Sequence, residues 1–339
     1  MVQRKKISDP TFLKRMKDTV KYYDMLKEGD RVLVAVSGGP DSVCLLNALC
    51  CVRRKLGVEL AVANLDHGLR GKESRAESLF VKHLADTMGL KVIQKKVVLK
   101  RRKHKGLSIE ELARRERYKF FNTCANKEKC TVIATGHTID DQAETVLMRI
   151  IRGTALQGFS GIPPVRYDKH LKIIRPLIRL EKADILQYLE NNDLKYVIDS
   201  SNKSVEYFRN SVRLDIIPFL EKYNPRLKRS LSNMADTFRE DLVFIKEAKK
   251  KALADSAGTG KKGKTVIKIK DIVLLPKALR KEVVKEMFER SGGNVKKLTH
   301  RHWMDIDYFI KAAESKKSLD LPRVVLVKTR DELVFTSSR

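Results

Sequence analysis

Between an apolar run, Val32-Leu33-Val34-Ala35-Val36, and the start of an amphipathic stretch stands the hexapeptide Ser37-Gly38-Gly39-Pro40-Asp41-Ser42. Two glycines let backbone N–H groups turn inward, a following helix N-terminus adds partial positive charge, and the Ser37 and Ser42 hydroxyls can reach phosphate oxygens. This is the pattern of a phosphate nest. It is not G-x-x-x-x-G-K-[ST], because no Lys follows, nor G-x-G-x-x-G, because the spacing differs. A plain strand-to-helix connection would use the same residues. Asp41 stands where a carboxylate reaches a Mg²⁺ bridging phosphates, a hard oxygen ligand for a hard ion; as a helix-start carboxylate it would instead oppose the dipole. A second constellation is His137, Asp141 and Glu144, spaced i, i+4, i+7 on one helical face. Two carboxylates on such a face suit a cationic amine, although a charged helix surface has the same spacing.

Elements that could position these groups are readable from Arg31 to Thr135, where short β-branched runs alternate with amphipathic stretches. Val32 to Val36 precedes Ser42 to Lys55, Val58 to Asn64 precedes Glu73 to Met88, Val92 to Leu99 precedes Ser108 to Asn126, and Thr131 to Ala134 precedes Asp140 to Arg152. Strands without polar alternation are covered on both faces, so the expectation is an α/β fold with a doubly wound parallel sheet. Beyond Gly153 a Gly/Pro-punctuated loop leads to a short strand near Ile173, a helix from Glu181 to Asn191, and a helix ending near Pro218. A long helical pattern then runs from about Pro225 to Asp255, followed by a flexible basic run from Gly258 to Lys264. The remainder reads as a smaller α+β unit: a strand at Thr265 to Lys270, helices near Lys277 to Arg290 and Thr299 to Ala313, and a terminal hairpin. Two domains are expected, a catalytic one over 1–222 and a C-terminal one over 223–339 that begins with the long helix.

The 339 residues include 71 Lys and Arg against 42 Asp and Glu, a formal net charge of +29. A field of that sign attracts polyanions, nucleic acid first among them. Eight Lys or Arg and no acid fall between Lys91 and Lys105, and nine against two acids between Lys246 and Lys270. No apolar run approaches the length of a membrane span, and the basic start has no apolar segment behind it, so a cytoplasmic location without membrane association is expected. Five cysteines, Cys44, Cys50, Cys51, Cys124 and Cys130, form no C-x-x-C. That argues against a disulfide framework, a zinc ribbon or an iron–sulfur ligand set.

The hexapeptide after the first apolar strand resembles the pyrophosphate (PP) loop of the ATP-pyrophosphatase family, whose members hold ATP for attack at its α-phosphorus. Further segments narrow the resemblance. They are Asn64-Leu65-Asp66-His67-Gly68-Leu69-Arg70, the stretch from Ala134 to Thr145 followed by Arg152-Gly153-Thr154, Ile174-Arg175-Pro176-Leu177, Asp199-Ser200-Ser201-Asn202 and Arg209-Asn210-Ser211-Val212-Arg213. Together, from about Arg31 to Arg229, they resemble the tRNA(Ile)-lysidine synthetases, and the rest looks like the first C-terminal domain of that family without the second. The resemblance implies a ligase that forms a C–N bond in two steps on cytidine 34 of the CAU-anticodon isoleucine tRNA. ATP adenylates the C2 oxygen, pyrophosphate leaves, and the ε-amine of free L-lysine displaces AMP to give lysidine, which pairs with A instead of G.

By the same resemblance Ser37, Gly38, Gly39, Pro40, Asp41, Ser42, His67 and Arg70 bind ATP, with Mg²⁺ on Asp41. His137, Asp141 and Glu144 bind lysine; Asp41, Arg114 and Arg117 are catalytic; Tyr118, Arg209 and Arg213 meet the tRNA. A homodimer is left open. A tRNA thiolase, the nearest rival, is associated with paired C-x-x-C cysteines that this chain lacks, and a non-catalytic RNA binder would not need the phosphate nest.

Overall fold

The computed structural model describes residues 9–66, 72–97, 109–168, 170–197, 207–259, 264–312 and 317–338. The chain divides into two compact units, 1–238 and 239–339.

In the first unit the elements run α1 (Pro10–Tyr22), β1 (Arg31–Ala35), α2 (Pro40–Leu56), β2 (Glu59–Asp66), α3 (Lys72–Thr87), β3 (Val92–Lys96), α4 (Ile109–Lys127), β4 (Val132–Ala134), α5 (Ile139–Ile151), α6 (Leu156–Phe159), β5 (Val165–Asp168), β6 (Leu171–Ile174) and α7 (Lys182–Asn191). Two short helices follow, α8 (Tyr207–Ser211) and α9 (Ile217–Glu221), joined through a π turn at Val212–Ile216, and then α10 (Leu227–Ser256). The strands form one sheet in the order β3-β2-β1-β4-β6-β5. All neighbours are parallel except β5, which pairs antiparallel with β6 at the edge.

The apolar strands are continuous because both faces are covered. Val32 and Val34 point into a core shared with α1, α2 and α7, through Met16, Leu45 and Tyr188. Leu33, between them, points to the other side, where Phe120, Phe121 and Cys124 of α4 close over Ala63, Ile133 and Ile173. Each such side chain is fully enclosed, and enclosure stabilises by roughly 1.5–3 kcal/mol per large aliphatic residue. A third cluster joins Ala143, Val146 and Leu147 of α5 to Leu231 and Ala235 of α10. The division at 238 therefore falls inside α10, whose first turns belong to the core of the first unit.

The second unit contains the end of α10, β7 (Ala257–Thr259), β8 (Thr265–Lys268), α11 (Ile269–Leu274), α12 (Lys277–Arg290), α13 (His300–Lys311), β9 (Lys317–Leu321), β10 (Val324–Lys328) and β11 (Glu332–Ser337). Its strands form an antiparallel sheet in the order β7-β8-β11-β10-β9. Gly258 and Thr259, expected at the head of a flexible run, instead pair with Val266 and Thr265. Turn-like composition concealed a strand there, because an edge strand needs backbone pairing more than apolar side chains.

Candidate active site

The strand order reverses between β1 and β4, and open α/β sheets bind ligands in the crevice at such a point. The Ser37–Ser42 turn leaves β1 at that place. Gly38 adopts φ +95°, Gly39 caps α2 and Pro40 opens it, the left-handed step and fixed φ that those residue types supply. The Ser42 hydroxyl donates to Gly39 O at 2.9 Å and lies 3.2 Å from the Ser37 hydroxyl. The first N–H groups of α2 thus face a crevice edged by two hydroxyls. Gly136, after β4, presses on this turn: a Cβ there would stand 3.0 Å from Asp41 O. Gly136→Ala is expected to displace the first turn of α2 and weaken ATP binding about tenfold, measured by calorimetry, with the melting temperature little changed, since each lost backbone hydrogen bond contributes about 0.5–1.5 kcal/mol.

A cavity of about 460 Å³ opens here, bounded by the Ser37–Ser42 turn, Asp66, Arg114, Arg117, Tyr118, His137 and Asp141. Asp41 forms an ion pair with Lys182 of α7. Burial pushes the Asp41 carboxyl above the usual carboxylate range, Lys182 opposes this, and Asp141 and Asp140 add to it. Lys182 is itself held in place, its backbone N–H donating to Asp140 Oδ2 at 2.7 Å. The loop that lacks a following Lys in the sequence therefore has one beside it in space.

On α5 the expected carboxylate face forms, and two arginines meet it. Arg209 reaches Glu144 Oε2 at 2.7 Å and Asp141 Oδ1 at 2.9 Å, and Arg213 Nε reaches Glu144 Oε1 at 2.5 Å. Glu144 is 1% exposed, and its hydrogen bond raises the Arg213 guanidinium further above its ordinary pKa. Asp141 also closes the α5 capping box with Thr138. Sequence separations of 65 and 69 residues between Glu144 and these arginines gave no sign of the pairing. Arg209 and Arg213, expected to meet the tRNA, both stand against the Asp141–Glu144 face of α5.

Arg114 and Arg117 add cationic groups to the cavity lining. The Arg114 guanidinium lies 5.3 Å from the ring centre of Tyr118 of α4, and that of Arg166 of β5 lies 4.6 Å from it. Arg175, 2% exposed, donates to Pro163 O. Burial lowers its pKa to about 10, with Arg166 and Arg114 contributing and Tyr118 opposing. Burial likewise lowers Arg117. The Nε atoms of Arg166 and Arg175 have no hydrogen-bond partner among the described residues. His137, whose Nδ1 lies 3.0 Å from the Thr135 hydroxyl, is pushed down to about 3 by burial first and then by Arg175, Arg114, Arg209 and Arg117. Its folded pKa lies below the unfolded value of about 6.5, so the unfolded chain binds the extra proton and stability falls with pH from about 6.5 towards 3. The wild type is expected to lose more melting temperature than His137→Asn between pH 7 and pH 5.

The cavity gathers Ser37, Gly39, Asp41, Ser42, Arg114, Arg117, Tyr118, His137 and Asp141; Gly38 and Pro40 belong to the same turn, and Glu144 lies one helical turn beyond Asp141. His67 and Arg70 lie outside the described residues, as do Asp199 to Asn202. Lys182, Arg166 and Arg175 were not foreseen as site residues. Among the described residues no three His, Cys, Asp or Glu side chains cluster as a metal-binding group.

Residues 9–220 match the PP-loop domain family. A tRNA(Ile)-lysidine synthase from Clostridioides difficile is 33% identical over 322 residues, covering 94% of this chain and 69% of the relative. The chain belongs to the tRNA(Ile)-lysidine synthases. A second synthase of this family, from Clostridium perfringens, is 40% identical over 236 residues, 69% of this chain and 50% of that protein. The chain thus spans half to about two thirds of the length of these relatives. Among solved structures, the U34-tRNA thiolase NcsA from Methanococcus maripaludis, with its [4Fe-4S] cluster, superposes with a TM-score of 0.56 at 25% identity, over 68% of this chain and 79% of that one. Of the cysteines of this chain, Cys44, Cys124 and Cys130 are buried, packed in the cores on either side of the sheet.

Proposed function

We infer that the protein ligates L-lysine to C2 of cytidine 34 in the CAU-anticodon isoleucine tRNA, using ATP and releasing AMP and pyrophosphate. The observation that carries this reading is a cavity lined by both the Ser37–Ser42 turn and Asp141, with Asp141 tied through Arg209 to the buried Glu144. A nest alone fits any nucleotide. Paired charges of both signs, Asp141 and Glu144 with Arg209 and Arg213, complement a zwitterion: the α-ammonium on the carboxylates and the α-carboxylate on the guanidinium forks. An amino acid held by its α groups keeps its ε-amine available as the nucleophile.

The triphosphate of ATP occupies the Ser37–Ser42 turn, and Lys182 leaves Asp41 to face the phosphate oxygens. Asp41 fits a Mg²⁺, since a single carboxylate completed by phosphate oxygens is an ordinary donor set for that ion and the Asp140 and Asp141 charges nearby favour a cation. When bound, the ion neutralises charge on the phosphates. Arg114 and Arg117 serve the attack of the cytidine C2 oxygen on the α-phosphorus, and Tyr118, which lines the same cavity, is an aromatic surface for the base. The ε-amine then attacks C2 and AMP departs. His137, held neutral, hydrogen-bonds in the site and carries no charge through the reaction. Among the described residues no helix is long and apolar enough to cross a membrane, and a cytoplasmic location fits a tRNA substrate.

Incubation with ATP, labelled lysine and CAU-anticodon transcripts is expected to place label in isoleucine tRNA and not in the methionine tRNA sharing its anticodon. Absence of label, with ATP consumed, would remove lysine from the reading. Lys182→Gln is expected to raise the ATP dissociation constant by about 10- to 150-fold, the range of a charge-assisted contact of about 1.5–3 kcal/mol, and Lys182→Arg to restore much of it. Unchanged binding by the Gln variant would leave Lys182 a partner of Asp41 only.

A further inference from the structure

In the second unit a groove of about 440 Å³ runs between α12 and α13, with Val284, Ile306 and Ile310 at its base. Its wall is Trp303, the only tryptophan of the chain. Tyr308, 78% exposed, and Met304, 62% exposed, stand at its outer edge. An amphipathic helix that only closes a core would turn Ile306, Phe309 and Ile310 inward and present polar residues outward. α13 does the first, yet carries a second apolar stripe into the groove.

The rim is cationic. Lys277, Lys281, His300 and Lys311 line it, and the Lys281 and Lys285 ammonium groups lie 5.0 and 5.9 Å from the Trp303 ring centre. One acid among the described residues lines the groove, Asp307, and it is already bound by Lys311 Nζ at 2.8 Å and Arg280 Nη1 at 2.9 Å. Asp305, also on α13, is not among the lining residues. Arg280 is buried and committed to the Val273 and Leu275 carbonyls and Lys311 is held by Asp307, so the mobile charge is that of Lys277 and Lys281.

We propose that this groove binds an unpaired nucleotide of the RNA substrate, the base against Trp303 and Tyr308 and the flanking phosphates on Lys277 and Lys281. The inference rests on the tRNA reading above and adds a second contact in the C-terminal unit. An aromatic wall beside lysines is the chemistry that takes a stacked base with its backbone, because every base has a π-face and every linkage a negative charge. A duplex buries those faces in its own stack, so the ligand is unpaired. Lys281 exchanges the ring for a phosphate as the base enters, and its cation–π contact keeps the wall oriented in the empty groove.

The single tryptophan makes the full chain its own reporter. Titration with a short unpaired RNA oligomer is expected to quench Trp303 fluorescence saturably, whereas a blunt duplex of the same sequence and polyglutamate leave it unchanged. Tyr308→Ala and Lys281→Ala, both at exposed positions, are expected to weaken tRNA binding about tenfold and several-fold respectively. The lysine variant should also show a salt slope shallower by about one, and both should bind ATP as the wild type does. If tRNA binds with unchanged fluorescence and both variants bind it normally, the groove assignment is wrong while the tRNA reading stands. If no tRNA binds to the wild type, both fall. Equal quenching by polyglutamate would make the groove an acidic-peptide site and overturn the nucleotide assignment.

Discussion

Glu144→Gln is expected to retain adenylation of the tRNA and to lose lysine transfer, with adenylated tRNA accumulating at low lysine. Glu144 is enclosed and receives Arg209 and Arg213 together. Removing its charge takes away a partner for the α-ammonium of lysine and disturbs the two guanidiniums that would face the α-carboxylate. The guanidiniums are 37% and 45% exposed, so water screens the loss and the fold should survive. A contact between full charges contributes about 1.5–3 kcal/mol, which predicts a KM for lysine raised roughly 10- to 150-fold. Separate assays of pyrophosphate release and lysine incorporation check it. Asp141→Asn should act in the same direction with a smaller effect, since Asp141 shares only Arg209 and also caps α5. Normal lysine use with impaired ATP binding in both variants would move this face from the amino acid to the nucleotide.

How much of this was legible in the sequence depended on range. β1, β2 and β4 could be read because a strand covered on both faces is an unbroken apolar run, and the Ser37–Ser42 turn because its glycines and proline act locally. α1 was missed: its buried Phe12, Leu13, Met16 and Val20 are interleaved with Lys and Arg, so their helical spacing was hidden among charges. β5 was also missed, since an edge strand reading Val-Arg-Tyr-Asp is only partly covered, with Val165 its one aliphatic residue on the core. The site separates along the same line. Asp141 and Glu144 share a helix and were found by spacing. Lys182 meets Asp41 across 141 residues, and Arg166 meets Tyr118 only because β5 turns back along β6; no local pattern encodes either contact. Arg209 and Arg213 were named from their motif, but their partners were set by the packing of α5 near the π turn.

Asp41→Asn is expected to slow adenylation by about 10²-fold or more while leaving lysine binding and the fold unchanged. The substitution keeps the shape of a side chain at the first turn of α2 and deletes its charge, so α2 still starts at Pro40. What changes is the cation balance at the phosphates: a neutral amide in this place can neither hold Lys182 as an ion pair nor donate a carboxylate to Mg²⁺. A preorganised charge beside a transferring phosphate typically contributes about 3–4 kcal/mol to the transition state, the basis of the expected rate loss. The raised pKa of Asp41 supplies a second signature. Because burial favours its protonated form, the reactive carboxylate is lost at a higher pH than an ordinary one as the solution is acidified. The wild-type kcat/KM for ATP, which reports groups of the free protein, should therefore decline on the acid side earlier than a carboxylate of usual pKa would dictate. The residual rate of the amide variant should lack that limb. A variant that releases pyrophosphate at the wild-type rate with the wild-type pH profile would take Asp41 out of the mechanism. The Lys182 contact would then be a surface ion pair beside the nest.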